Sequence, residues 1–175
     1  MKHALKIILA AAAVSAIAAP AKAQSSATAS TTASATIVQP ITLTKNSDLA
    51  FGSVVKPTSG TNTVTINETT GARAVSGAGN AALATSTTSR AAYSVGGEGG
   101  QTFSITVPST TTITRSGGSE TLTVNLVKTG ATGTISGSIG SAGTAAFGVG
   151  GNFDVASTTV SGAYSGSFNV TVAYN

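Results

Sequence analysis

Fourteen residues, Gly162–Asn175, constrain the fold more than any other stretch of this chain, because apolar side chains recur in them at every second position. In an extended backbone Phe168, Val170, Val172 and Tyr174 share one face, and Ser167, Asn169, Thr171 and Ala173 share the other. A helix would scatter these two sets around its circumference. The pattern therefore demands a strand with one buried face, and that strand needs a sheet to pair with.

The same period recurs upstream with glycine-rich punctuation. It predicts strands at 36–43, 49–55, 61–67, 91–95, 102–107, 110–114, 121–128, 144–155 and 167–174, an all-β pattern. Breaks are expected at Thr58–Gly60, Gly96–Gly100, Ser116–Ser119 and Gly148–Gly151, where positive φ or close backbone approach is easiest. Residues 71–90 read as a loop or a short helical turn, since Ser and Thr crowding opposes a long helix. Cysteine is absent, so packing and backbone pairing have to supply the stability.

At the other end Lys2, His3 and Lys6 precede the apolar run Ile7–Ala19, and Ala21-Lys22-Ala23 has the form of an A-x-A cleavage site. This predicts a secretory signal peptide over residues 1–23, export through the periplasm of a Gram-negative-type bacterium, and no transmembrane span. Three of the nine Lys and Arg residues leave with that segment, so six cations face five acids in the remainder. The basicity of the precursor thus gives no ground for nucleic-acid binding, which needs clustered charge. Lys45, Lys56, Arg73, Arg90, Arg115 and Lys128 are spaced singly, as solubilising surface charges are.

Catalysis is disfavoured by inventory. The only histidine is His3, there is no thiol, and Asp48, Glu68, Glu98, Glu120 and Asp154 are dispersed. No enzyme activity, cofactor or metal is expected. Glu98 and Asp154 sit beside glycine-rich turns, but without a calcium-loop signature they read as solvated turn acids. Gly96–Gly100 precedes a strand, not the helix that a phosphate loop needs, and reads as a hairpin. Tyr93, Phe103, Phe147, Phe153 and Tyr164 are too sparse for a nucleobase platform and belong to the core or its rim.

Between signal and first strand lies an arm, residues 24–36. Extended, it places Ala27, Ala29, Thr31, Ala33, Ala35 and Ile37 on one face and Ser and Thr on the other. It reads either as a flexible Ser/Thr/Ala tether or as a donor strand that orders by adding to a neighbour's sheet edge. Burying a Leu or Val contributes roughly 1.5–3 kcal/mol and a methyl only about 0.8 kcal/mol. A donor of this composition would require a shallow groove, a long backbone ladder and Ile37 as its one large anchor.

Tyr174 next to the end and Gly162 fourteen positions from it, joined to the alternating strand, resemble the C-terminal motif of bacterial chaperone-usher pilins. Over most of residues 35–175 the chain also resembles a bacterial family of secreted β-proteins, domain-of-unknown-function family 4402. That resemblance is carried by Ala35-Thr-Ile-Val-Gln-Pro-Ile41, Leu49-Ala-Phe-Gly52, Tyr93-Ser-Val-Gly96, Thr102–Pro108, Phe147–Gly151 and Gly166–Asn175. The two resemblances imply an immunoglobulin-like, pilin-like β-sandwich over residues 37–175, completed by a donor strand from a neighbouring subunit. They imply that Gly162, Phe168, Val170, Val172 and Tyr174 belong to the acceptor groove. Identical subunits would join head to tail into an extracellular filament, with a periplasmic chaperone and an outer-membrane usher as further partners. The chain departs from classical pilins in lacking a disulfide and in its alanine-rich arm. A monomeric coat or adhesin sandwich and a small outer-membrane barrel are the alternatives, although the aromatic girdles of a barrel are missing.

Overall fold

The computed structural model describes residues 25–175; the expected signal peptide, residues 1–23, lies outside them. The chain divides between Ala35 and Thr36. Residues 25–35 carry no regular secondary structure and are exposed throughout.

From Thr36 onward the described chain is an antiparallel all-β sandwich without a helix. Its strands are β1 (Thr42–Ser47), β2 (Val54–Val55), β3 (Thr61–Ile66), β4 (Arg73–Gly77), β5 (Ala82–Leu83), β6 (Ala91–Glu98), β7 (Thr102–Thr106), β8 (Thr110–Arg115), β9 (Thr121–Lys128), β10 (Thr132–Thr134), β11 (Ala142–Ala156), β12 (Tyr164–Ser165) and β13 (Thr171–Tyr174). The large sheet runs β1-β6-β11-β9-β8-β12, with β3 on β11 and β4 on β3; a second sheet is β10-β7-β13, and β2 pairs β5.

β11 organises the fold. Along one edge its first half pairs β6 (Ala142↔Glu98 to Val149↔Ala91) and its second half pairs β3 (Gly151↔Ile66 to Ala156↔Thr61). Its opposite edge pairs β9 between Val149 and Asn152. Two apolar cores lie along it. The first is Ala91, Tyr93 and Val95 of β6, Phe103 and Ile105 of β7, Ile135, and Phe147 and Val149 of β11, closed between the two sheets. The second is Val64, Val124, Phe153 and Val155 on the far half of β11, and Leu49 and Leu126 touch both. The aromatics take the core positions expected of them: Tyr93 stacks on Phe147 at 5.1 Å, and Phe153 meets the edge of Phe51 at 4.9 Å.

Alternation placed the interior strands well, because a wrong register would have turned every apolar side chain to water. Five expectations need correction. Of the strand expected at 49–55 only Val54–Val55 forms one, with an isolated bridge at Ala50. The first strand begins at Thr42, not Thr36, since Pro40 lacks the N–H that a ladder requires. The last regular strand is only Thr171–Tyr174. Residues 71–90 form β4 and β5 with no helical turn. Gly148–Gly151 is not a break but the buried centre of β11. There the end of β3 and the turn after it crowd the strand: a Cβ on Gly150 would lie 2.6 Å from the Glu68 nitrogen and 2.9 Å from the Asn67 carbonyl carbon. The glycines admit backbone, not flexibility. Of the expected breaks, Gly60 (φ 69°), Gly100 (φ 76°) and Gly117 (φ 74°) are true positive-φ turns.

Candidate functional site

The second core is the less completely covered of the two, and above it lies an open groove of about 730 Å³ with an apolar floor and mixed walls. Its floor is Ile113 of β8, Leu122 and Val124 of β9, and Phe153 and Val155 of β11. One wall is Leu49–Val54 and Lys56, the chain leaving β1; the other is Thr159–Gly166 and Phe168, the chain approaching β13. The groove therefore opens between the first and last parts of the sandwich. Its floor residues are tightly held, with Val124 at 1 %, Val155 at 5 % and Phe153 at 8 % exposure, so an occupant would lie over them, not among them.

Each wall is fixed by hydrogen bonds whose residues looked merely solubilising in the sequence. The Arg73 guanidinium donates to the carbonyls of Phe51 (2.9 Å), Ser53 (3.1 Å) and Ala84 (2.7 Å), holding the first wall. Arg115 makes a two-pronged pair with Glu120 (2.7 and 3.1 Å) and lies across Gly162, where a Cβ would come within 2.7 Å of its Cδ. That hydrogen-bonded pairing raises the Arg115 pKa and lowers the Glu120 pKa. Tyr164 donates its hydroxyl proton to the Val160 carbonyl (2.8 Å) and β12 pairs β8, which fixes the second wall. Lys56 Nζ donates to the Thr159 carbonyl (3.1 Å) and joins the walls. Arg90 and Lys128 also donate to carbonyls, of Glu68 and Ile105. Lys56, Arg73, Arg90 and Lys128 are thus backbone staples, a role that spacing does not reveal.

Of the expected acceptor residues, Gly162 and Phe168 line the groove. Val170, Val172 and Tyr174, with Phe168, pack on the first core, and β13 pairs β7 from Thr171↔Thr106 to Tyr174↔Phe103. The expected donor residues Ala27, Ala29, Thr31, Ala33 and Ala35 are exposed and outside any strand, and Ile37 is 90 % exposed.

Glu98 was expected to be a solvated turn acid; it is 2 % exposed. Its carboxylate accepts from the backbone N–H groups of Gln39 (3.2 Å) and Gly140, and its own N–H donates to the Tyr174 hydroxyl (2.8 Å). That hydroxyl donates in turn to the Gln39 carbonyl (2.8 Å). Gly97 makes the space, since a Cβ there would strike the hydroxyl. The penultimate tyrosine thus ties the end of β13 to the residues leading into β1. No buried side-chain nitrogen or oxygen lacks a partner among the described residues. Nor, among them, do three His, Cys, Asp or Glu side chains gather as a metal site would require, and no helix is long and apolar enough to cross a membrane.

Fold and site together define a class: an antiparallel β-sandwich whose first and last segments flank an open groove with an apolar floor. A family model matches residues 41–174, and the chain belongs to that family, described as a domain of unknown function (DUF4402). No curated protein and no solved structure is similar enough to count as a match.

Proposed function

We propose that this chain is a secreted, non-enzymatic structural subunit of an extracellular filament, joined head to tail by donation of the 24–36 arm into a neighbour's groove. The observation that carries this reading is the placement of the groove and of the arm's root on the sandwich. The root, Gln39, is bonded to Glu98, which pairs with the first residue of β11. The floor of the groove uses Phe153 and Val155 near that strand's far end. At 3.2–3.4 Å per residue the two ends are roughly 40 Å apart along the strand. Residues 25–38 fully extended span at most about 50 Å. An arm reaching its own groove floor would spend most of its length on the journey, whereas a neighbour's groove can be met end-on. A donor at one pole and an acceptor at the other form a heterologous contact that does not close and so propagates as a filament. Unpaired edge strands and a groove open to solvent favour completion by another chain. A periplasmic chaperone and an outer-membrane usher fit this pathway as transient partners.

The test is deletion of Ser25–Thr36 from the mature chain, read by sedimentation and negative-stain electron microscopy. Filaments from the intact chain and none from the deletion are expected. Equal polymerisation of both would overturn the donor assignment. A stable monomer from the intact chain would point to the coat or adhesin reading, and a requirement for detergent to the barrel.

A further inference from the structure

The groove is shorter than the arm that would fill it. Its first wall, from Leu49 to Lys56, spans at most about 29 Å even as fully extended chain. The arm's two-faced pattern, Ser25–Ile37, spans up to about 47 Å when extended. Beyond Phe168 the same two parts of the chain continue as β1 and β13, each the end strand of its sheet. No strand pairing joins them among the described residues. Between residues 36–48 and 167–175 the one hydrogen bond is that from the Tyr174 hydroxyl to the Gln39 carbonyl, 2.8 Å. Around it Glu98, 2 % exposed, holds Gln39 and Gly140 through its carboxylate and the tyrosine through its N–H.

We propose that Tyr174 is a latch: its hydroxyl closes the seam between β1 and β13, and releasing it extends the groove into a slot that takes the full arm of a second copy of this chain. The proposal rests on the donor-arm reading above. Two properties select this occupant. Its length requires the seam as well as the groove. It also carries no charge from Ser25 to Ile37, matching a groove whose lining holds no acid and only Lys56 as a base. In the latched state the seam is shut and only the groove is open, so a subunit begins to accept a neighbour at the groove and completes the joint by opening the latch.

The test compares the mature chain with its Tyr174→Phe variant at a dilution where both are monomeric. Amide hydrogen exchange is followed in 39–43 and 171–174, together with uptake of a synthetic peptide of residues 25–38. Removing the hydroxyl leaves the buried Glu98 N–H unpaired, so seam exchange is expected to rise roughly ten- to a hundredfold, and peptide uptake to quicken with it. Gly97→Ala, which displaces the hydroxyl while keeping the tyrosine, is expected to produce the same local change and guards against a fold lost in the first variant. Peptide uptake with unchanged seam exchange would overturn the latch alone. Faster seam exchange with no uptake by either protein would overturn the donor reading beneath it.

Discussion

Gly150→Ala adds one methyl group at the centre of β11, where the chain has least room. The new Cβ would strike the Ile66 carbonyl oxygen, with the Glu68 nitrogen at 2.6 Å and the Asn67 carbonyl carbon at 2.9 Å. All three atoms are backbone, so no side chain can swing aside. The turn that carries them is itself fastened, with Asn67 N–H donating to the Ala72 carbonyl and Gly71 N–H to the Asn67 carbonyl, each at 2.9 Å. Overpacking of a closed interior costs typically 1–3 kcal/mol, and this site belongs at the upper end because backbone on a paired strand must move. Against that, alanine in a strand recovers roughly 0.5–1 kcal/mol relative to glycine. The net expectation is a loss of roughly 2 kcal/mol, or a melting temperature lowered by about 4–8 °C for a chain of this size. Gly130→Ala is the control, since its Cβ would meet nothing nearer than the Thr132 carbonyl oxygen at 3.3 Å. Urea denaturation of the monomeric chains is the assay, with the midpoint moving and the slope constant. If Gly150→Ala falls within about 0.5 kcal/mol of Gly130→Ala, a difference no larger than ordinary surface substitutions show, the reading of these glycines as seats for backbone is wrong.

Arg73→Met keeps the side chain's stem and removes its bonds to the carbonyls of Phe51, Ser53 and Ala84. The expected cost is roughly 1.5–3 kcal/mol, the range for hydrogen bonds to a charged group. Amide exchange should rise at 51–54, and protection unchanged there would refute the role of Arg73 in holding the wall. Glu120 has a folded pKa lowered chiefly by its hydrogen bond from Arg115. Its contribution is therefore full above the ordinary carboxylate range and is lost as pH falls through the lowered folded value. The pair is solvent-exposed enough that the effect should be small. A stability gap between wild type and Glu120→Gln that persists unchanged into strong acid would contradict this assignment.

How much of this was legible follows from what a period of two encodes. It reports which face of a strand is buried, and the strands at 61–66, 102–106, 110–115 and 121–128 follow the sequence pattern closely. It does not report what covers that face. Phe168 and Val172 have the same alternation, yet Phe168 lines the groove while Val172 packs only on the first core. Short pairings escaped it as well: β10 is Thr132–Thr134 and β12 is Tyr164–Ser165, too brief to show a period. The roles of Arg73 and Glu98 depend on partners far away in sequence, Arg73 reaching back to Phe51 and Glu98 to Gln39. Spacing along the chain contains no trace of such pairs. One signal was available for Glu98: an acid flanked by Gly96-Gly97 and Gly99-Gly100 marks a place where other backbone comes close.

The alanine arm, an apparent weakness of a donor strand, changes its meaning beside this groove. A donor with large side chains is needed where the acceptor's floor is a trench. Here Val124, Val155 and Phe153 already fill the floor and keep at most 8 % of their surface exposed. Five or six methyl-sized groups at about 0.8 kcal/mol each contribute at most some 4–5 kcal/mol. That sum is comparable with the entropic cost of fixing only a few backbone residues, about 1–2 kcal/mol each. Side-chain burial alone then cannot hold a joint together, and the balance has to come from pairing the edges of β1 and β13 and from Ile37. A short occupant confined to the groove would gain the floor contacts but not that ladder. The length of the arm and the existence of a closable seam are therefore linked requirements: with small side chains, a stable joint needs the whole slot.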